Sequence, residues 1–250
     1  MNITIITVVY NAGKEIIPTI EAVLNQTIAP YEYLFIDGAS RDNTLDIIES
    51  YKEKIEQKGI RYKVVSEPDK GLYDAMNKGV KLAEGNFIVF ANAGDWLELD
   101  AVKIFMDVYQ KEKYDFAYGS IGYICKKRIV KKSRKDRFIS SRNWNHPSSI
   151  VRKELYLENP FDLKYSIYAD FDWFLKMRKS NVKITILPSN NVISNFRIGG
   201  ASINDGLKAA LKRANEKYMA YISNDYSRLY CLESYGWEFI KYIFAKINTL

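Results

Sequence analysis

Short apolar runs alternate with amphipathic segments along the first 120 residues of the chain. Ile3–Val9 is an unbroken run of apolar and β-branched residues, which predicts a strand buried on both faces. Residues 14–26 follow with apolar side chains at helical spacing, which predicts an amphipathic helix. The same alternation predicts further strands at 31–36, 61–65, 87–91 and 115–119, with helices between them. This order predicts an α/β fold, with a mainly parallel sheet covered by helices on both faces.

The pattern changes after residue 119. Two short segments, 119–125 and 129–132, flank the basic residues 126–128 and predict a β-hairpin. Helices are expected at 152–158, 168–179, about 205–222 and toward the C-terminus, and strands at 182–187 and 192–196. We therefore expect one continuous domain over residues 1–205, followed by a helical tail over residues 206–250.

Polar side chains follow four of the predicted strands. Tyr10, Asp37, Glu67 and Asp95 each lie at or just past the carboxyl end of a strand, about one βα unit apart. In open α/β sheets, ligands bind at this edge. We therefore expect these four side chains to line one crevice.

The basic residues of this 250-residue chain are concentrated in one place. The chain has 37 basic and 30 acidic residues, but residues 126–137 hold eight of the basic ones and one acidic residue, so the remainder is neutral. Such a local patch is suited to bind a phosphate group or an anionic membrane surface. The alternative is a solvated hairpin without a ligand. A nucleic-acid-binding protein more often spreads its charge over a face, so nucleic acid is not an expected partner. Two cysteines exclude a disulfide framework and a Cys-rich zinc site.

The N-terminal segment does not resemble a signal peptide, because no basic region precedes its apolar run, which ends at Tyr10. No window reaches the ~18 uninterrupted apolar residues that a membrane span needs. We therefore expect a cytoplasmic protein, with peripheral attachment to the inner face of the plasma membrane as one possibility. The aromatic-rich tail favours that attachment, since a helix there would place Trp237, Ile240, Phe244 and Ile247 on one face. The alternative is a C-terminal helix that docks on the domain.

The chain lacks the glycine-rich phosphate loops of dinucleotide-binding and P-loop proteins. No G-x-G-x-x-G follows the first strand, and G-x-x-x-x-G-K-[ST] is absent. A nucleotide site without such a loop must neutralise phosphate in another way, for which a divalent cation held by a carboxylate is the obvious route.

Five motifs carry a family resemblance over roughly residues 2–205. TVVYNAG, FIDGASRDNT, SEPDKGLYDAMNKG, FANAGD and YADFDW, in this order, resemble the inverting nucleotide-sugar transferases of glycosyltransferase family 2, which have the GT-A fold. Within that family the chain looks most like the bacterial enzymes that assemble colanic acid, capsule and O-antigen. The resemblance implies a UDP-sugar donor, an undecaprenyl-linked or other saccharide acceptor, and Mg²⁺ or Mn²⁺. It also implies a donor half over about 1–119 and an acceptor half over about 120–205.

The resemblance implies a donor site at the strand ends. The uracil and ribose would lie against the backbone of Thr7 and Val8 and the side chain of Tyr10. An Asp37 carboxylate can accept the uracil N3–H, which would select uridine. Ser40 would either bind the donor or cap the next helix. For Asp42 we prefer the capping role.

The resemblance also implies that the start of the helix near residue 72 faces the donor. Asp74, Asn77 and Lys78 share one face of that helix, because they are spaced at i, i+3 and i+4. We expect donor contacts from them and from Glu67, with a surface Asp74–Lys78 ion pair as the alternative.

The motif Asn92-Ala93-Gly94-Asp95 stands where the family has its acidic metal motif, and only Asp95 keeps a carboxylate. The resemblance implies that Asp95 binds the cation, which would bridge to the donor phosphates. A hard cation needs few protein ligands when phosphates and waters supply the rest.

Asp170 matches the general base of the family, although Ala169 replaces the Glu that usually precedes it. Residues two apart on a helix point in different directions, so Asp172 cannot serve the same site and is assigned to the helix dipole.

Two further features belong to the acceptor side of the resemblance. The single histidine, His146, is expected to contact the acceptor or the donor diphosphate. The segment after residue 196 resembles a loop that closes over the diphosphate, and its candidate residues are Arg197, Gly199, Gly200 and Ser202. Two other functions stay open: a catalytically weak nucleotide-sugar-binding protein, and a basic RNA- or membrane-binding module.

Overall fold

The computed structural model describes residues 1–124, 127–133, 139–141, 144–197 and 206–247, with side chains to residue 243. The strands of this part of the chain are β1 (Ile3–Val9), β2 (Glu32–Asp37), β3 (Arg61–Ser66), β4 (Phe87–Phe90), β5 (Trp96–Leu97), β6 (Phe116–Tyr118), β7 (Ser120–Ile124), β8 (Arg128–Lys131), β9 (Ser149–Arg152), β10 (Ile184–Ile186) and β11 (Val192–Arg197). The helices are α1 (Gly13–Leu24), α2 (Thr44–Ser50), α3 (Lys52–Gln57), α4 (Leu72–Leu82), α5 (Ala101–Lys111), α6 (Lys153–Glu158), α7 (Ala169–Lys179), α8 (Leu207–Ser223) and α9 (Tyr230–Ile247).

The described strands form two sheets. The larger has the order β10-β6-β9-β4-β1-β2-β3, and the smaller has the order β5-β11-β7-β8. β4, β1, β2 and β3 are all parallel, as the alternating pattern predicts. The expected α/β fold is therefore confirmed, with the carboxyl ends of four neighbouring strands along one edge.

One strand of the larger sheet escapes the sequence pattern. β9 lies between β4 and β6 and is antiparallel to both. It has only four residues and follows a single 3₁₀ turn, His146–Ser148, so neither its length nor its flanks predict a strand. Its position has a consequence for the site, because it brings His146 next to the carboxyl end of β4.

Two apolar clusters cover the two faces of the larger sheet. Alternate side chains of β1 and β2 enter opposite clusters, as a pleated strand requires. Ile6, Val8, Leu34 and Ile36 pack with α4 and α7 on one face, while Ile5, Val9, Tyr33 and Phe35 pack with α1 on the other. Each large side chain buried in this way contributes about 1.5–3 kcal/mol.

The predicted hairpin and tail are both present in the described residues. β7 and β8 pair antiparallel, although Lys126 and residues 134–138 lie outside the described part. α8 packs against α7 and α9, so the tail docks on the domain. Trp237 is half-buried and Ile240 exposed, while the side chains of Phe244 and Ile247 lie outside the described residues. No described helix is long and apolar enough to cross a bilayer.

Candidate functional site

The carboxyl ends of β1, β2 and β3 form a strand-end crevice around Tyr10, Asp37, Gly38 and Glu67. The Gly38 amide donates to the Val9 carbonyl at 2.9 Å, and the Glu67 amide donates to the Asp37 carbonyl at 3.0 Å, so the three strand exits are adjacent. Two non-glycine residues beside the crevice have positive φ angles, Asn11 at 46° and Ala39 at 61°. Such backbone strain clusters at functional sites.

Asp37 is fully buried at this edge and is held by serines. Its Oδ2 accepts hydrogen bonds from the Ser40 amide at 2.9 Å and the Ser66 hydroxyl at 2.6 Å, and its Oδ1 accepts from the Ser40 hydroxyl. A carboxylate has about four acceptor positions, so the described residues leave one of them unfilled. Ser40 also accepts from the Asn11 amide at 2.8 Å, which fixes the exit of β1. Ser40 therefore shapes the crevice and is not a helix cap.

Asp42 lies one residue before the N-cap position of α2, which Asn43 occupies, because the helix begins at Thr44. Its carboxylate still accepts from the amide of Thr44, the first residue of α2, at 3.1 Å, so the expected contact with the helix start is present. Asp42 also accepts from the Gly13 amide at 3.1 Å. It thereby joins the first turns of α1 and α2 beneath the crevice.

The end of β1 contributes one exposed side chain. The Thr7 hydroxyl is buried and donates to the Ala91 carbonyl at 2.7 Å, and Val8 belongs to the core, so only their backbone can meet a ligand. Tyr10 is 61% exposed. A Cβ at Gly38 would fall 2.5 Å from the Asp69 carboxylate and 3.3 Å from the Tyr10 ring, so glycine is needed for both to approach. Asp69 is a crevice residue that was not among the predicted ones.

The start of α4 carries the predicted polar face. Lys78 forms ion pairs with Glu67 at 2.9 Å and with Asp74 at 3.8 Å, which places the three predicted charges together. Asn77 faces elsewhere, because its amide group donates to and accepts from the backbone of Phe161 at 2.9 Å each. Asn77 thus ties α4 to a distant loop, and its donor contact stays a prediction.

The turn after β4 brings together two oxygen-bearing side chains. Asp95 is buried and accepts from the Arg197 amide at 3.1 Å, and its burial raises its pKa to about 7, against the lowering effects of the Arg197 amide and guanidinium. Asn92 carries a buried Oδ1 that accepts no hydrogen bond from any described residue. Such an orphaned oxygen needs a partner. Asn92 is a residue that the sequence prediction missed.

Asn92 and Asp95 fit a hard divalent cation in chemical type. Both supply oxygen, which Mg²⁺ and Mn²⁺ prefer, and a nucleotide's phosphates and waters can complete the shell. Within the described part of the chain, no group of three or more His, Cys, Asp or Glu side chains could hold a metal alone. A cation here would therefore depend on the nucleotide.

A cavity of about 610 Å³ extends from Asn92 to the start of α7, and we call it the Asp170 cavity. Asp170 is half-buried in its wall, with aromatic side chains around it. The aromatic residues of the wall are Tyr73, Tyr123, Trp144, Tyr168, Phe171, Phe196 and Tyr242. Rings of this kind offer flat apolar surfaces beside a few polar groups, which suits a small polar ligand.

Asp170 is held in place by a neighbouring hydroxyl. The Tyr73 hydroxyl lies 2.9 Å from Asp170 Oδ1 and 2.6 Å from the Ile167 carbonyl, and the Phe171 amide donates to Oδ1 at 2.8 Å. Burial raises the pKa of Asp170 to about 6, while the hydrogen bonds from Tyr73 and Phe171 lower it in part. Tyr73 has one proton for two acceptors. A protonated Asp170 can donate to the Tyr73 oxygen, so the pair can accommodate a transferred proton.

Asp172 points to the opposite side of α7. It is buried, pairs with Lys176 at 2.7 Å and accepts from the Asn224 amide nitrogen at 2.8 Å. This agrees with the helix geometry that separates Asp172 from Asp170. However, Asp172 binds α8 through Asn224, which is a packing role beyond the predicted dipole interaction.

His146 lines the Asp170 cavity as a neutral side chain. Burial lowers its pKa to about 3. Its Nε2 lies 3.3 Å from the Tyr156 hydroxyl, and the ring centroids of Phe90, Trp144 and Phe161 lie within 5.6 Å of its own. A neutral imidazole can meet a ligand by a hydrogen bond but cannot pair with a diphosphate by charge. The predicted contact between His146 and a ligand therefore stays a prediction, as a hydrogen bond and not as an ion pair.

Arg197 is exposed at the end of β11, with its guanidinium 5.9 Å from the centre of the Trp96 ring. Its backbone amide makes the hydrogen bond to Asp95, and its guanidinium acts on that carboxylate only through its charge. Gly199, Gly200 and Ser202 lie outside the described residues, so the predicted closing loop stays a prediction.

The tail helices also reach the Asp170 cavity, which the sequence prediction missed. Arg213 of α8 and Lys241 and Tyr242 of α9 line its wall. Glu216 of α8 accepts from the Ile167 amide at 2.8 Å and thereby holds the segment that leads into Asp170.

Comparison with known proteins identifies the family. The family model described as Glycosyl transferase family 2 matches residues 4–177. A PGL/p-HBAD biosynthesis glycosyltransferase of Mycobacterium bovis is 29% identical over 205 residues, covering 78% of this chain and 76% of that protein. The Escherichia coli protein WfgD, a UDP-Glc:alpha-D-GlcNAc-diphosphoundecaprenol beta-1,3-glucosyltransferase, is 27% identical over 238 residues, covering 93% and 91%.

Solved structures share the fold. TarS of S. aureus in complex with UDP-GlcNAc superposes with a TM-score of 0.68 at 18% identity, covering 98% of this chain and 73% of that one. The mannosyltransferase PcManGT of Pyrobaculum calidifontis, in complex with GDP-Man and Mn²⁺, gives 0.63 at 16% identity, covering 95% and 69%. The expected GT-A fold is thus confirmed. Because the family model spans more than half of the sequence, the chain belongs to glycosyl transferase family 2.

Proposed function

We propose that this protein is an inverting glycosyltransferase that moves a sugar from a UDP-sugar to a lipid-linked saccharide in the synthesis of a bacterial surface polysaccharide. The observation that carries the proposal is Asp170, a carboxyl group with a pKa near 6 in the wall of an aromatic-lined cavity. A base needs a pKa near the working pH to accept a proton efficiently.

Asp170 takes the proton from the attacking acceptor hydroxyl in this mechanism. The oxygen bonds to the anomeric carbon as the bond to UDP breaks on the opposite face, which inverts the configuration. The proton remains on Asp170, which can then donate to the Tyr73 oxygen while the Tyr73 hydroxyl keeps its own proton and donates to the Ile167 carbonyl. A positioned base of this kind is worth about 10²–10⁴ in rate.

The donor lies across the strand-end crevice in this proposal. The free acceptor position of Asp37 receives the uracil N3–H, and the exposed Tyr10 ring covers the base. Asn92 and Asp95 would hold Mg²⁺ or Mn²⁺ at the diphosphate. When bound, the cation offsets the charge that develops on the departing UDP.

The acceptor in the proposal is lipid-linked, and WfgD, which aligns over most of this chain, has such an acceptor in its name. The protein would then work at the inner leaflet. Exposed apolar side chains on α9, with Leu232 73% and Phe239 60% exposed, suit that surface. We expect the protein to co-sediment with phosphatidylglycerol vesicles, and the bound fraction should fall as the salt concentration rises. Equal binding to neutral vesicles would show that charge does not contribute to the attachment.

Two measurements test the proposed function. The wild-type protein is assayed for UDP release from a panel of UDP-sugars with Mn²⁺, and UDP binding is followed by thermal shift with and without the metal. If the protein transfers the sugar, it should release UDP, and replacement of Asp170 should abolish this release. Tight UDP binding without release from any donor and acceptor would favour a nucleotide-sugar-binding protein, which the single carboxylate of the metal motif keeps as the second candidate.

A further inference from the structure

The two tail helices enclose an apolar groove that no part of the proposed chemistry uses. It has a volume of about 330 Å³, and its one charged side chain is the buried Glu238. Leu207 and Leu211 of α8 line one side and are each 51% exposed, and Phe239 of α9 lines the other. The groove is therefore open to solvent and suited to a hydrocarbon chain.

The groove adjoins the Asp170 cavity, because Tyr242 lines both spaces. Arg213 and Lys241 line the same cavity as Asp170. We call the part of the cavity wall formed by Arg213, Lys241 and Tyr242 the junction. Two cations and the base thus face one cavity, and the apolar groove lies beside it.

Among the described side chains, three cations, Arg213, Lys217 and Lys241, pair with two carboxylates, Glu233 and Glu238, beside the junction. Arg213 Nε lies 2.9 Å from Glu238, and Lys241 Nζ lies 2.5 Å from the same carboxylate. The Arg213 side chain is 12% exposed, so its charge is poorly hydrated. A phosphate ester that entered the junction would form charge-assisted hydrogen bonds there.

We propose that the tail binds the linker and the lipid of the acceptor. The saccharide lies at Asp170, an anionic phosphate linker meets Arg213 and Lys241, and the first part of the hydrocarbon occupies the α8–α9 groove. The inference rests on the proposed function for its lipid-linked acceptor. In this arrangement, the tail helices select acceptors that are linked through phosphate to a lipid over free saccharides.

Farnesyl diphosphate tests this arrangement without knowledge of the acceptor sugar. Binding to the whole protein is measured by calorimetry in EDTA, so that no cation recruits the diphosphate to Asn92 and Asp95. We expect farnesyl diphosphate to bind at least about tenfold more tightly than inorganic diphosphate or farnesol, because it uses both surfaces.

Single substitutions separate the two surfaces. Lys241→Gln should weaken binding about tenfold through the lost charge, and it is preferred to Arg213 variants because Lys241 is 45% exposed. Leu211→Ser should weaken farnesyl diphosphate but not inorganic diphosphate. Lys208→Gln on α8 and Leu229→Ser, which precedes α9 and is 73% exposed, lie outside both surfaces. They are the matched controls and should bind farnesyl diphosphate like wild type.

Equal affinities for farnesyl diphosphate and inorganic diphosphate would overturn the proposal, as would equal losses in the control variants. A Leu211→Ser variant that loses only vesicle co-sedimentation would also overturn it, since the groove would then be a membrane contact. Failure of the proposed function is a separate result, because it would appear as no UDP release by the wild-type protein from any donor and acceptor.

Discussion

The strand-end crevice and the Asp170 cavity are built in different ways. In the crevice, Asp37 is held by Ser40, three residues away, and by Ser66 of the neighbouring strand, 29 residues away. In the cavity, Tyr73 and Asp170 are 97 residues apart, and the Tyr168 hydroxyl reaches Glu238 across 70 residues. The crevice therefore joins the ends of neighbouring strands about one βα unit apart, whereas the cavity depends on the packing of elements far apart in the chain.

Their electrostatics differ in the same way. In the crevice region, hydrogen bonds from the Thr44 hydroxyl and from the Gly13 and Thr44 amides lower the pKa of the exposed Asp42, against a smaller effect of burial. In the cavity, burial raises the pKa of Asp170 and lowers that of His146, and both shifts favour the neutral form. One region is suited to hold a ligand in place and the other to exchange a proton.

Removal of the base is expected to have the largest effect. Asp170→Asn keeps the size of the side chain but cannot accept the proton, so turnover should fall by at least about 100-fold while UDP affinity is unchanged. Asp172→Asn, the same change two residues along α7, is the matched control and should keep most of the activity. Retained turnover in Asp170→Asn would exclude it as the base.

The second prediction concerns the divalent cation that we propose between the crevice and the cavity. Asp95→Ala should abolish the increase in UDP affinity that Mn²⁺ gives and leave uridine affinity unchanged, because the carboxylate meets the nucleotide only through the metal. In the wild-type protein the increase should fade as the pH drops through about 7, where protons compete for Asp95. A wild-type rate that EDTA leaves untouched would contradict metal dependence.

Loss of the Tyr73 hydroxyl should shift the pH profile of kcat/KM. The acidic limb of the wild-type profile is expected near pH 6, because Asp170 acts in its ionised form. The Tyr73 hydrogen bond lowers the pKa of Asp170, so Tyr73→Phe should move this limb to higher pH and reduce the maximal rate by about tenfold. Tyr123→Phe, in the same cavity, is the control. An unshifted limb would show that Tyr73 does not tune the base.

The smallest effect concerns stability. The pKa of Asp170 is about 6 in the folded protein and about 3.9 in an unfolded chain. Stability from the neutral carboxyl is therefore fully present below about pH 4 and is lost as the pH rises through about 6. Asp170→Asn should raise the free energy of unfolding at pH 8 by at most about 3 kcal/mol, and by less at pH 5. A gain that is equal at both pH values would contradict a desolvated carboxyl group at this position.

The hydrophobic pattern predicts the alternating elements of residues 1–119 and the positions of the motifs at their ends. Buried strands and amphipathic helices have periods that are visible within one segment, so the predicted bounds of β1 are those observed. The family resemblance favours Asp170 over Asp172, and local geometry adds only that a helix directs residues two apart to different sides.

The surroundings of those motifs depend on tertiary packing, which no single segment predicts. β9 is too short to carry a periodic signal, and the buried oxygen of Asn92 is recognisable only once its neighbours are in place. Arg213 and Lys241 look like surface charges on the tail until α8 and α9 dock beside Asp170. A single segment specifies its own backbone and its apolar face. Which side chains meet across a cavity depends on the packing of segments far apart in the chain, and this packing sets the burial that moves the pKa of Asp170.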